Sequence, residues 1–304
     1  MRRPSAALVL LLVLALAPAC STSGHGLGAA TDGRLQVVAA ENFWGSLAAQ
    51  LGGNRVDVTD LIRNPNTDPH DYEATANDAR AVAEADYLIV NGVGYDGWAS
   101  KSAAASPSSR RLLLDVGDLT GHHAGDNPHR WYFPADVEKV IDRITADYQQ
   151  LDPAHAAYFA SRRAAFETTG LATYHRLLAD IARRFAGTPV GASESIFVGI
   201  AQATGLHLLT PDSFLNGVSE GTDITAQAKT TVDRQISERQ VAVFVSNTQN
   251  ATPDVQRVVA SSRSHHIPVV TITETLAPAG DTFQQWQVAQ LRGLEAALHE
   301  ATGR

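Results

Sequence analysis

The chain has 304 residues, of which 44% are hydrophobic and 18% charged, with a net charge of −8. That balance excludes a disordered chain and leaves room for two domains, each with its own core. A pI near 5.7 excludes nucleic acid as a partner, because phosphate binding needs a basic face.

Taken in chain order, the first segment reads as an address. Arg2 and Arg3 precede an apolar run from Ala6 to Ala17, too short for a confident membrane span and shaped like a signal peptide. Cys20 is the single cysteine, so no intramolecular disulfide is possible. A lone cysteine at the end of a signal peptide resembles the lipobox of a bacterial lipoprotein, with Leu16 four residues upstream and Pro18 inserted. Lipidation there would hold the protein at the membrane surface with its domains in water. Residues 21–33 are small, polar and glycine-rich and read as a tether.

Short apolar runs then alternate with helical patterns. Strands are expected at Leu35–Ala40, Val56–Ile62, Tyr87–Asn91 and Arg111–Val116, with helices at Phe43–Leu51 and Ala74–Ala85. From Ala135 to Phe185 strand signal disappears and no glycine occurs before Gly170. Asp152 and Pro153 suit the cap and first turn of a new helix. Roughly thirty helical residues would span about 45 Å. Gly187-Thr188-Pro189 ends the stretch, and alternation resumes. Strands are expected at Val190–Ala192, His207–Thr210, Val241–Ser246 and Val269–Thr273. Helices are expected at Ile196–Thr204, Ala226–Ser237, Thr252–Ser264 and Phe283–Thr302. The pattern predicts an α/β fold of two lobes, each a parallel β-sheet flanked by helices, joined by a long rigid backbone helix. The expected boundaries are 1–20 signal peptide, 21–33 tether, 34–134 N-terminal lobe, 135–186 linking helices and 187–304 C-terminal lobe.

Two loops carry the chemistry. Asp68-Pro69-His70-Asp71-Tyr72-Glu73 and Asp126-Asn127-Pro128-His129-Arg130-Trp131 each place a histidine directly after a proline, which stiffens the backbone bearing the imidazole. Glu194 and Glu274 likewise follow predicted strands, where ligands bind in open α/β sheets. Two imidazoles and two carboxylates suit zinc, iron or manganese. Taken alone, each has an ordinary alternative: a solvated turn for either histidine, a helix-capping role beside Ser193 for Glu194. His122-His123 and His265-His266 read as solvated turns, and Trp98, Trp131 and Trp286 as packing residues.

The D-P-H-x-Y-E and N-P-H-x-W patterns, over a chain that matches from about Leu35 onward, resemble the cluster A-I family of substrate-binding proteins, which serves zinc and manganese ABC transporters. The resemblance implies that His70 and His129 are metal ligands, and that Ser193-Glu194-Ser195-Ile196-Phe197 supplies the third ligand, Glu194. The family usually has aspartate at the fourth position. Here Ile272-Thr273-Glu274-Thr275-Leu276 offers Glu274, one methylene longer, with Asp281 as the alternative. Ser219-Glu220-Gly221-Thr222 resembles an unliganded structural turn of the family. Some zinc-specific members carry a histidine-rich loop near His129, and two histidines do not make one.

The implied function is extracytoplasmic capture of one divalent cation as cargo, Mn2+ favoured by the carboxylates, Zn2+ next and Fe2+ possible. The implied partners are an ABC permease with its ATPase, and the membrane through a lipid on Cys20, with the protein itself a monomer. Two rival classes compete with this reading. A metallohydrolase would need an open metal position and a base, and no H-E-x-x-H occurs; the chain is expected not to be an enzyme. An adhesin, with metal binding secondary, has no repeat or apolar surface stretch to support it.

Overall fold

The computed structural model describes residues 33–64 and 72–304. The Cys20 and His70 expectations, the signal peptide and most of the tether lie outside the described residues.

The first sheet contains β1 (Leu35–Glu41), β2 (Val56–Ile62), β3 (Tyr87–Val90) and β4 (Leu112–Asp115), all parallel, in the order β2-β1-β3-β4. Its central strand β3, YLIV, is buried at every residue, as a parallel strand covered on both faces must be. Helix α1 (Asn42–Gly52) crosses from β1 to β2, and α2 (Ala76–Glu84) from β2 to β3. Thr75 and Asp78 close a reciprocal capping box at the start of α2. Helices α3 (Gly97–Ala105) and α4 (Val116–Thr120) complete this half.

The helical connection expected over 135–186 is there, in pieces. Helix α5 (Pro134–Leu151) ends before Pro153, which opens a separate 3-10 turn. Helix α6 (Ala156–Ala165) passes through a π-helical turn, Phe166–Gly170, into α7 (Ala172–Phe185). Asp152 does not cap a helix with its side chain. Its carboxylate is held by Arg55 at 3.2 Å and by His155 at 2.9 Å, which ties the connection to the first lobe.

The second sheet repeats the arrangement. Strands β5 (Pro189–Ala192), β6 (His207–Leu208), β7 (Val243–Asn247) and β8 (Val269–Ile272) run parallel in the order β6-β5-β7-β8. Helices α8 (Val198–Thr204), α9 (Asp212–Ser219), α10 (Ala226–Ser237), α11 (Pro253–Ser264) and α12 (Phe283–Thr302) surround it. Thr252 caps α11 ahead of Pro253, and Thr282 with Gln285 forms a second capping box on α12. In both sheets the direction of strand addition reverses between the first and third strands, the place where open α/β sheets bind ligands.

One apolar core joins the two halves. Phe43 and Leu47 of α1, Tyr148 of α5, Tyr174 and Ile181 of α7, Val190 of β5, and Phe283 and Trp286 of α12 belong to a single buried cluster. Smaller clusters lie behind each sheet. Among the described residues no helix is long and apolar enough to cross a membrane.

Candidate metal centre

Glu194, Asn247 and Glu274 follow or end β5, β7 and β8, three neighbouring strands. Strands lie about 4.8 Å apart, so the two glutamates stand two strand spacings from each other with Asn247 between them. The glutamates converge over that middle strand. Asn247 Nδ2 donates to Glu274 Oε1 at 2.7 Å and also to Glu194 Oε1. Asn250 Nδ2 reaches Glu194 Oε2 at 3.0 Å.

His129 comes from the other lobe. Its Nε2 lies 3.3 Å from Glu274 Oε2, and both side chains are buried. His129, Glu194 and Glu274 each offer one ligand atom, and these atoms lie within 4.8 Å of one another. Asp281 is outside that group. It lies half-buried in the turn before α12, its backbone N–H donating to the Pro278 carbonyl. His122 pairs with Asp126 at 3.5 Å, and His123 is exposed. Ser193 does not cap the following turn; its hydroxyl accepts from the Asn247 backbone N–H.

The histidine is oriented by its own loop. Asn127 Nδ2 donates to the Ser195 carbonyl at 2.7 Å, which turns Asn127 Oδ1 towards His129. That oxygen accepts from the His129 backbone N–H at 3.0 Å and pairs with Nδ1 at 2.8 Å. The proton is thereby assigned to Nδ1, and Nε2 faces the glutamates as the basic nitrogen. Trp131 anchors the same loop by stacking on Phe43 at 3.9 Å. Buried Arg130 pairs with Asp136 and lies over the Phe133 ring.

Tyr95 closes the site from the first lobe, its hydroxyl donating to Glu274 Oε2 at 3.0 Å. The loop that presents it is strained. Val93 has a φ of 56° between two glycines that are also left-handed, a costly conformation for a β-branched residue. Asp96 holds the loop, accepting from the N–H groups of Asn91 and Gly92 at 2.6 and 2.8 Å.

Burial pushes Glu194 well above the usual carboxylate range, and the nearby charge of Glu274 adds to the rise. Two carboxylates and an imidazole buried together are a costly arrangement unless a proton or a cation neutralises them. A divalent cation satisfies all three together. The carboxylate contacts of Asn247, Asn250 and Tyr95 are not legible in the sequence, because asparagine and tyrosine are rarely metal ligands and carry no ligand spacing of their own. The position of Asn247 at the end of a predicted strand is the one available signal.

Residues 37–297 match the family described as ZnuA: Zinc-uptake complex component A periplasmic. The chain belongs to this family. It is 25% identical over 175 residues to the manganese-binding lipoprotein MntA of Halalkalibacterium halodurans, covering 55% of this chain and 56% of that one. It is 23% identical over 294 residues to the metal ABC transporter substrate-binding lipoprotein FimA of Streptococcus parasanguinis, covering 90% and 91%. The chain spans about half the length of the MntA relatives it matches. In fold it is similar to a periplasmic metal-binding protein from Candidatus Liberibacter asiaticus. That likeness has a TM-score of 0.69 at 17% identity and covers 86% of this chain and 98% of the other.

Proposed function

We propose that this chain is the extracytoplasmic solute-binding component of a metal ABC transporter, anchored through a lipid on Cys20. It captures one divalent transition-metal ion between its lobes and delivers it to a permease driven by an ATPase. The observation that carries the reading is the convergence of His129, from one lobe, with Glu194 and Glu274, from the other, in a buried site. Membership of a zinc-uptake family and similarity to lipoproteins named for manganese binding support the same class.

His129 Nε2, Glu194 and Glu274 are the proposed ligands, with His70 as the fourth. Two imidazoles and two carboxylates make a mixed nitrogen and oxygen set. Carboxylates that bind through one or both oxygens can raise the coordination number, which favours Mn2+ as cargo, with Zn2+ next and Fe2+ after it. The protein's part is to bind and release, with no chemical turnover. Asn247 holds the two glutamates together, Asn127 fixes the imidazole, and Tyr95 links the first lobe to a ligand of the second.

The test is metal content by elemental analysis after incubation with manganese and zinc. About one equivalent more in the parent than in either His129→Ala or His70→Ala is the expected outcome for a single tight site in the cleft. A parent that takes up neither metal would overturn the proposal.

A further inference from the structure

A second group of ligand-type side chains lies on the helical connection, away from the cleft. Glu138 is on α5, Glu167 in the π-helical turn, and His175 on α7. One ligand atom from each lies within 4.8 Å of the others, and His175 Nε2 is 3.1 Å from Glu138 Oε1. The three residues are partly exposed, so an ion can reach them from solvent.

Three observations set this group apart from an ordinary ion pair. One imidazole already serves one carboxylate, yet a second carboxylate is brought alongside both. Glu167 Oε2 is shielded from solvent and has no hydrogen-bond partner, which is costly for a carboxylate oxygen. Tyr174, next in the chain to His175, is fully buried with an unpartnered hydroxyl. It lies within electrostatic reach of Glu138, whose charge adds to burial in raising its pKa. The π-helical turn contributes the geometry. Such turns insert a residue into a helix and recur at functional sites, and here Glu167 is one of the residues the turn contains.

We infer that Glu138, Glu167 and His175 form a second site for a divalent cation of the zinc class, bound by one nitrogen and two carboxylates and completed by water. Ligand atoms around a tetrahedral ion with bonds near 2.1 Å stand about 3.4 Å apart, so the group needs only small side-chain movements to close on it. Free of metal, Glu138 holds its proton more tightly: burial pushes it up, the Glu167 carboxylate pushes it further, and His175 offsets part of the rise. The bound ion would bridge α5, the π-helical turn and α7, and so brace the connection between the lobes. The site is independent of the cleft, and its failure would leave the transport reading untouched.

The experiment counts zinc by equilibrium dialysis and elemental analysis in four proteins: the parent, His129→Ala, His175→Ala and the double variant. The expected result is about one equivalent fewer whenever His175 is replaced, in either background. Equal zinc with and without His175, in both backgrounds, would overturn the inference and leave a His175–Glu138 ion pair only. Should His175→Ala fold poorly, Glu167→Gln keeps the side chain's size while removing its charge, and the same loss is expected. Crystals of the parent grown with zinc give a separate reading. An anomalous peak among the three side chains supports the site, and an occupied cleft with no peak there refutes it.

Discussion

Asn247 stands between Glu194 and Glu274 and donates to both through its one side-chain nitrogen. The central strand of three thus fixes the separation of two carboxylates borne by its neighbours. Groups that orient metal ligands are often worth 10–100-fold in affinity. Asn247→Ala is therefore expected to weaken metal binding by about that factor while leaving secondary structure intact. Competition against a chromogenic chelator, with circular dichroism as the control, checks both halves of the statement.

Tyr95→Phe removes a hydroxyl and nothing else. A hydrogen bond to a charged group contributes about 1.5–3 kcal/mol, so affinity is expected to fall by about tenfold or somewhat more. Because Tyr95 and Glu274 belong to different lobes, the loss should appear mainly as faster metal release. Stopped-flow release into excess chelator measures it, and an unchanged rate would show that the hydroxyl plays no part.

Metal affinity should decline on acidification. Glu194 binds its proton well above the ordinary carboxylate range in the metal-free site, and His129 must be neutral at Nε2 to ligate. Each displaced proton changes apparent affinity by about tenfold per pH unit below the relevant pKa. Titrations between about pH 5 and 8 are expected to show at least one proton released per ion bound. A flat profile would count against both ligands.

Asp60 on β2 offers a test of stability alone. Burial pushes its carboxyl from 3.8 up to about 6, with Arg63 offsetting part of the rise. Below the lower value both folded and unfolded chains are protonated, and Asp60 costs nothing. As pH climbs through that window the unfolded chain ionises first, so stability falls, and above it the cost is constant. Asp60→Asn is thus expected to stabilise the metal-free protein at pH 8 by on the order of 2 kcal/mol, and to change little at pH 4. Urea denaturation at the two pH values decides it.

Gly199 on α8 is where the second lobe comes up against the His129 loop. A Cβ there would overlap the Tyr132 carbonyl oxygen. The obstacle is backbone, so it cannot swing aside. Gly199→Ala is expected to cost about 1–3 kcal/mol, the usual range for overpacking, and to weaken metal binding by shifting the turn that follows His129. Thermal denaturation and a binding titration together check it.

Much of this is legible in the chain itself. The alternation of apolar runs and helical patterns gives both parallel sheets, and Ala226–Ser237 and Phe283–Thr302 are read with their observed bounds because capping threonines and apolar periodicity agree. His129, Glu194 and Glu274 are met in one place because each follows a strand end. The short helices Gly97–Ala105 and Asp212–Ser219 escape notice, since glycine, serine and alanine give little periodicity over two turns. The break at Leu151–Pro153 is readable from proline, whereas the π-helical turn at Phe166–Gly170 has no sequence mark beyond Gly170. Asn247 and Tyr95 gain their roles only from what folding brings beside them.

The continuous apolar core has a consequence for how the molecule comes apart. Residues of both sheets and of the connecting helices share one buried cluster, so neither half has a complete interior of its own. Severing the chain near Gly187 should yield two aggregation-prone fragments that recover structure only when mixed. The intact protein should melt in a single calorimetric transition whose van't Hoff and measured enthalpies agree.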